Sequence, residues 1–97
     1  MGYNNKAVGA GTAAVGNSNT ATGFDSVAMG AGNISTAGQS VAVGRSNTTT
    51  ASGASVFGID SHARGVASTA IGFRSHANAQ QALATGFYSR ANGLGSL

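Results

Sequence analysis

Ninety-seven residues carry a net charge of +3, from five basic and two acidic side chains; 41% are hydrophobic, mostly Ala and Val, and only 6% are aromatic. Such small apolar side chains offset little of a backbone-ordering cost of roughly 1–2 kcal/mol per residue, which argues against an ordinary single-chain core. Charged residues at 7%, no cysteine and no apolar run of membrane length exclude a charge-driven disordered tail, a disulfide framework, a thiolate metal site and a helical membrane span.

Gly2, Gly16, Gly30, Gly44, Gly58, Gly72 and Gly86 recur every 14 residues across the whole chain. A fixed period decides the fold before any local motif does. Each phased glycine from Gly16 on closes a short segment with a large–small–large alternation. In chain order these are Ala13-Ala14-Val15, Val27-Ala28-Met29, Val41-Ala42-Val43, Ser55-Val56-Phe57, Thr69-Ala70-Ile71 and Leu83-Ala84-Thr85. Period two predicts a strand. Three residues after each glycine stand Asn5, Asn19, Asn33, Asn47, Ser61, Ser75 and Ser89, which predict a turn, because Asn tolerates left-handed backbone angles. A second alternating segment of small residues follows, for example Ala21 and Gly23, or Ala63 and Gly65.

Each unit therefore reads strand, turn, strand, turn. Stacking like residues on like gives a two-sheet parallel β-solenoid with about 4.8 Å between rungs, about 30 Å tall in all. The absence of proline agrees, since proline would remove a ladder hydrogen bond. The bulky column Val15, Met29, Val43, Phe57 and Ile71 is assigned to the roll interior. The Ala14, Ala28, Ala42, Ala70 and Ala84 column then faces outward, as a flat strip suited to subunit contact. The opposite facing is the alternative. Tyr3, Phe24, Phe73, Phe87 and Tyr88 are read as sealing corners or a subunit seam.

The strings DSVAMGAGN (Asp25 to Asn33), QSVAVGRSN (Gln39 to Asn47) and STAIGFRS (Ser68 to Ser75) resemble the N-S-V-A-I-G-x-x-S repeat of trimeric autotransporter adhesin heads, the YadA-like, Hep/Hag-type repeats of Gram-negative bacteria. The period matches, and the resemblance spans essentially the whole chain. It implies an all-β, left-handed parallel β-roll, three of which assemble side by side as a homotrimer. It also implies display on the outer membrane and adhesion to host extracellular matrix such as collagen, to cells or to cell-surface glycans, sometimes with autoaggregation. The chain departs from the pattern where Asp25 and Gln39 replace the leading Asn and where Ser55-Val56-Phe57 and Leu83-Ala84-Thr85 diverge, which leaves collagen specificity open. Residues 1–97 read as a single array of about seven repeats. The in-phase start at Met1 and the stop within a repeat at Leu97 suggest a piece of a longer array.

Chemistry other than surface binding finds little footing. The two carboxylates, Asp25 and Asp60, lie two and a half repeats apart, about 12 Å in height, too far for a general-acid/base pair. No catalytic residue and no cofactor is expected. His62 and His76 share one column four residues past the glycine; they are read as exposed corner residues rather than as a metal site, because Arg90 continues the column. The scattered basic residues do not suggest nucleic-acid binding. The candidate surface contacts are Ser26, Ser40, Arg45, Arg64, Arg74 and Arg90, with Arg64, Arg74 and Arg90 forming a modest basic girdle toward acidic glycans. Asn33-Ile34-Ser35 and Asn47-Thr48-Thr49 match a glycosylation sequon by chance. Thr20, Thr48 and Thr49 are too scattered for an ice-binding array. A calcium-binding G-G-x-G-x-D repeat is absent. The rival to an adhesive head is a spacer that lengthens a fibre without its own ligand.

Overall fold

The computed structural model describes residues 2–93 and consists of two seven-stranded parallel sheets joined rung by rung. The first sheet holds β1 (Gly2–Tyr3), β3 (Ala13–Asn17), β5 (Val27–Ala31), β7 (Val41–Arg45), β9 (Ser55–Ile59), β11 (Thr69–Phe73) and β13 (Leu83–Thr85). The second holds β2 (Lys6–Ala7), β4 (Thr20–Ala21), β6 (Ile34–Ser35), β8 (Thr48–Thr49), β10 (His62–Ala63), β12 (His76–Ala77) and β14 (Arg90–Ala91). Every strand pairs with the one 14 residues on, so that Gly16 lies beside Gly30, Gly30 beside Gly44 and Gly44 beside Gly58. The all-β solenoid and the phase read from the glycines are both present. The two chain ends, Met1 and residues 94–97, lie outside the described residues.

The facing of the first sheet is the reverse of the sequence expectation. Ala14, Ala28, Ala42, Ala70 and Ala84 are buried at 0–4% exposure, and Val56 joins their column at 0%. Met29, Phe57 and Ile71 are 41–43% exposed, and Val15 and Val43 are partly exposed beside them. The roll is only about 10 Å across its thin dimension between Cα extremes. Sheets packed face to face at about that spacing must share the gap between two sets of side chains. With Ala21, Ala63 and Ala77 opposite, an interior methyl fits and a Phe or Met does not. The Ala column is therefore the core, and cannot serve as a subunit contact.

Polar side chains complete the interior. Asn33 is fully buried. Its Nδ2 donates to the carbonyls of Met29 (2.7 Å) and Gly44 (2.8 Å), and to Oδ1 of Asn19 (3.1 Å). Its own Oδ1 accepts from the Asn47 backbone N–H at 3.0 Å. Asn19 and Asn47 repeat the pattern, and Ser61 and Ser75 continue it with one hydroxyl each. These residues are thus an internal ladder, which the turn reading missed. The left-handed position is the residue before each of them: Ser46 (φ 56°), Asp60 (φ 55°) and Arg74 (φ 56°). The parallel ladder runs through this corner, with the amides of Asp60 and Arg74 donating to the carbonyls of Arg45 and Ile59.

The phased glycine is forced by the same geometry. At Gly44 φ is 129°, and a Cβ would sit 2.0 Å from the carbonyl oxygen of Gly58. That carbonyl is the one Asn47 Nδ2 holds at 2.7 Å. Glycine and the buried Asn or Ser three residues on are one structural device: the first lets the next rung's carbonyl approach, and the second satisfies it.

Candidate functional site

Among the described residues there is no pocket, and no cluster of three or more His, Cys, Asp or Glu that would hold a metal ion. What the roll offers a partner is its outer surface, which divides into three patches.

The first patch is the outward face of the first sheet, carrying Val15, Met29, Val43, Phe57 and Ile71 in register over successive rungs. The column at the other end of the alternation, including Val27, Val41 and Leu83, is half-buried on the same face. This is a continuous apolar surface on a flat sheet, and it takes the place of the Ala strip as the candidate for subunit contact.

The second patch is the corner after β11. Phe73 and Phe87 stack at 5.3 Å between ring centroids, and Tyr88 meets Phe87 edge-on at 4.4 Å. Arg74 lies 5.5 Å and 5.6 Å from the ring centroids of Phe73 and Tyr88 and donates to the Tyr88 hydroxyl at 3.1 Å. Its Nε is 3.9 Å from Asp60. Tyr3, Phe24, Phe87 and Tyr88 are all more than half exposed and Phe73 is partly exposed. Within one chain the corners are therefore closed by the Asn and Ser side chains and the backbone, and a subunit seam is what remains of the expected aromatic role.

The third patch is the outer face of the second sheet. His62, His76 and Arg90 stand on adjacent strands in one column. The two imidazoles stack with centroids 4.9 Å apart and planes 7° from parallel. Parallel rings direct their nitrogen lone pairs side by side, not toward a common point, which does not suit shared metal coordination. Arg64, two residues after His62, reaches back to His62 Nδ1 (3.4 Å) and across to Asn78 Oδ1 (3.1 Å). Burial, then Arg64, lowers both histidine pKa values below the ordinary imidazole value; His76 and Arg90 respectively add to this, while Asp60 opposes it at His62.

The surface contacts expected from sequence separate accordingly. Ser26 and Ser40 are fully buried, which overturns their assignment to a ligand-facing surface. Their hydroxyls donate to the carbonyls three residues back, Gly23 at 2.7 Å and Ala37 at 2.6 Å, and so close the second corner. Arg45, Arg64, Arg74 and Arg90 are exposed but do not form one girdle. Arg45 ends β7 on the first sheet, Arg74 is committed to the aromatic corner, and only Arg64 and Arg90 share a face with the histidines.

Among the described residues the chain is thus a parallel roll of stacked repeats that has no pocket and carries its large apolar, aromatic and basic side chains on the outside. The family model described as YadA head domain repeat matches residues 21–47, 50–75 and 63–89. The chain belongs to the YadA head family, a family of structural adhesins. No curated protein and no solved structure matches it.

Proposed function

We propose that the chain is the adhesive head of a trimeric surface fibre on a Gram-negative outer membrane, attaching the cell to host extracellular matrix or host cells and contributing to autoaggregation. Residues 1–97 are then one head segment of a longer protein, wound left-handed, with three rolls side by side. The observation that carries this reading is the exposed apolar face of the first sheet in a chain of this family. Met29, Phe57 and Ile71 keep about two-fifths of their surface in water, and covering each would contribute about 1 kcal/mol. Repeated over successive rungs and three subunits, that contribution supplies what the narrow Ala core lacks.

Light scattering of the purified chain tests the assembly: a trimer is expected, converted to a monomer by Val43→Asp together with Ile71→Asp. A wild-type monomer overturns the trimeric reading. Binding to immobilised collagen, fibronectin, laminin and cultured cells tests the adhesive role. A trimer that binds none of them is a spacer of the fibre instead, the second reading that a pocketless surface with few charges supports.

A further inference from the structure

The outer face of the second sheet carries a feature that shape and stability do not require. Three consecutive rungs place His62, His76 and Arg90 in line, and Arg64 stands beside the first two. The histidines are half-buried and the arginines exposed. Thr48 on β8 precedes them in the column and is uncharged. The adjoining column continues from Arg64 into Asn78 and Asn92, linked by hydrogen bonds of 3.1 Å and 2.7 Å. The side-chain carboxylate near this face is Asp60 on the corner, and Arg74 already lies 3.9 Å from it. Asp25 is more than two repeats away along the chain. Basic side chains thus meet one another across this strip with little countercharge.

We propose that His62, His76, Arg64 and Arg90 form a binding strip for an extended acidic polysaccharide, engaged more tightly as the medium acidifies. The inference rests on the adhesive reading and deepens it by naming one ligand class. Three features select that class. The site is a flat ladder without a pocket, which fits a linear chain lying along the roll axis. Its basic side chains repeat at the rung spacing, with the imidazoles 4.9 Å apart, comparable to the length of one sugar ring. Asn78, Asn92 and Thr48 flank the charges with amides and a hydroxyl suited to sugar hydroxyl groups.

Acid sensitivity follows from the two imidazoles in the strip. Partial burial, then Arg64, lowers both imidazole pKa values below the ordinary one and so favours the neutral form. A sulfate or carboxylate laid across them reverses that field and favours the protonated form. By linkage, an anion that raises a histidine pKa is itself bound more tightly when that histidine is protonated. Each unit of pKa increase is worth up to about tenfold in affinity.

Heparin serves as the probe, with binding measured at constant ionic strength at pH 7.5 and 5.5 on the full chain. The dissociation constant is expected to fall about tenfold on acidification. His62→Gln with His76→Gln removes that change and leaves the neutral-pH value within about twofold. Arg64→Gln with Arg90→Gln weakens binding at both pH values, whereas Lys6→Gln, at the far end of the same sheet, changes neither. Proton NMR titration gives the same test without mutation: heparin raises both histidine pKa values. The strip is overturned by a pH step that survives in the histidine variant, by an arginine variant that binds like wild type, or by no heparin binding at either pH. Polyglutamate binding as tightly as heparin overturns the polysaccharide assignment in favour of an acidic peptide. Attachment to matrix and cells at pH 7.5 is read separately: its loss with the heparin pattern intact overturns the adhesive reading and leaves the strip standing.

Discussion

Replacing Asn33 tests whether the buried amide ladder holds the roll together. In Asn33→Ala the Asn47 N–H loses the acceptor that now meets it at 3.0 Å. The carbonyls of Met29 and Gly44 lose donors at 2.7 and 2.8 Å, and Asn19 Oδ1 loses one at 3.1 Å. The position is fully buried, so water does not replace these partners. An orphaned buried donor costs about 1–3 kcal/mol, and weakened carbonyl bonds add to it, for a total of about 3–5 kcal/mol. Asn33→Ser costs only about 1 kcal/mol, because Ser61 shows that a hydroxyl here both donates to the Gly72 carbonyl (2.8 Å) and accepts from the Ser75 N–H (3.1 Å). Asn33→Asp is nearly isosteric yet sets a carboxylate against two carbonyl oxygens. It is the least stable of the three at neutral pH and recovers partly in acid, where the protonated group can donate. Urea unfolding at fixed protomer concentration measures the series, with stability read from midpoints at a common slope. An alanine variant as stable as the serine variant, or an aspartate variant more stable than either, would refute the ladder argument.

Three further outcomes follow from the same geometry. Gly44→Ala meets the Gly58 carbonyl at 2.0 Å in a backbone conformation that L residues rarely adopt; it should prevent folding or cost more than about 4 kcal/mol, visible as loss of cooperative melting by circular dichroism. Ala42→Leu should destabilise the roll by about 1–3 kcal/mol or more through overpacking, whereas Phe57→Ser, on the outward face, leaves the subunit's β-sheet circular dichroism intact while weakening self-association; the reverse pattern would restore the original facing. The free chain should lose stability below about pH 6.5: with both histidine pKa values lowered on folding, first by burial and then by Arg64, the unfolded chain binds more protons, so stability is complete above the ordinary imidazole pKa and is lost as pH falls through the depressed folded values. A melting-temperature profile shows this, and His62→Gln with His76→Gln flattens the step.

The rung, its period and its register were legible because every one of them is carried by position along the chain. The facing of the first sheet was not. Alternation separates Ala28 from Met29 onto opposite faces but does not say which face is closed. The usual rule sends the larger apolar residue inward, and it fails here because the gap between the sheets takes Ala and a single Val but leaves Met and Phe outside. Ser26 and Ser40 misled for a related reason. Serine reads as surface-seeking, yet its short hydroxyl is well placed to satisfy a carbonyl three residues back inside a tight corner. The basic residues were visible as types. Their division among the end of a first-sheet strand, an aromatic corner and a histidine column depends on which of the 14 positions each occupies. The exchange from Asn47 to Ser61 in the ladder was the available signal that these positions share an inward role, since both types offer a donor and an acceptor together.

The pairing of Gly16 with Gly30, and of each later glycine with its successor, bears on how such a molecule changes over generations. Each rung touches only the rungs above and below it. Excising one whole unit, from Gly30 to Met29's counterpart Val43, joins two chains already in step and shortens the roll by one layer, about 4.8 Å. Removing a single residue instead puts one rung out of step with its neighbours and turns that strand's side chains to the wrong side. Length is therefore inherited in whole units, and duplication or loss of a repeat adjusts reach while leaving the remaining layers unaltered.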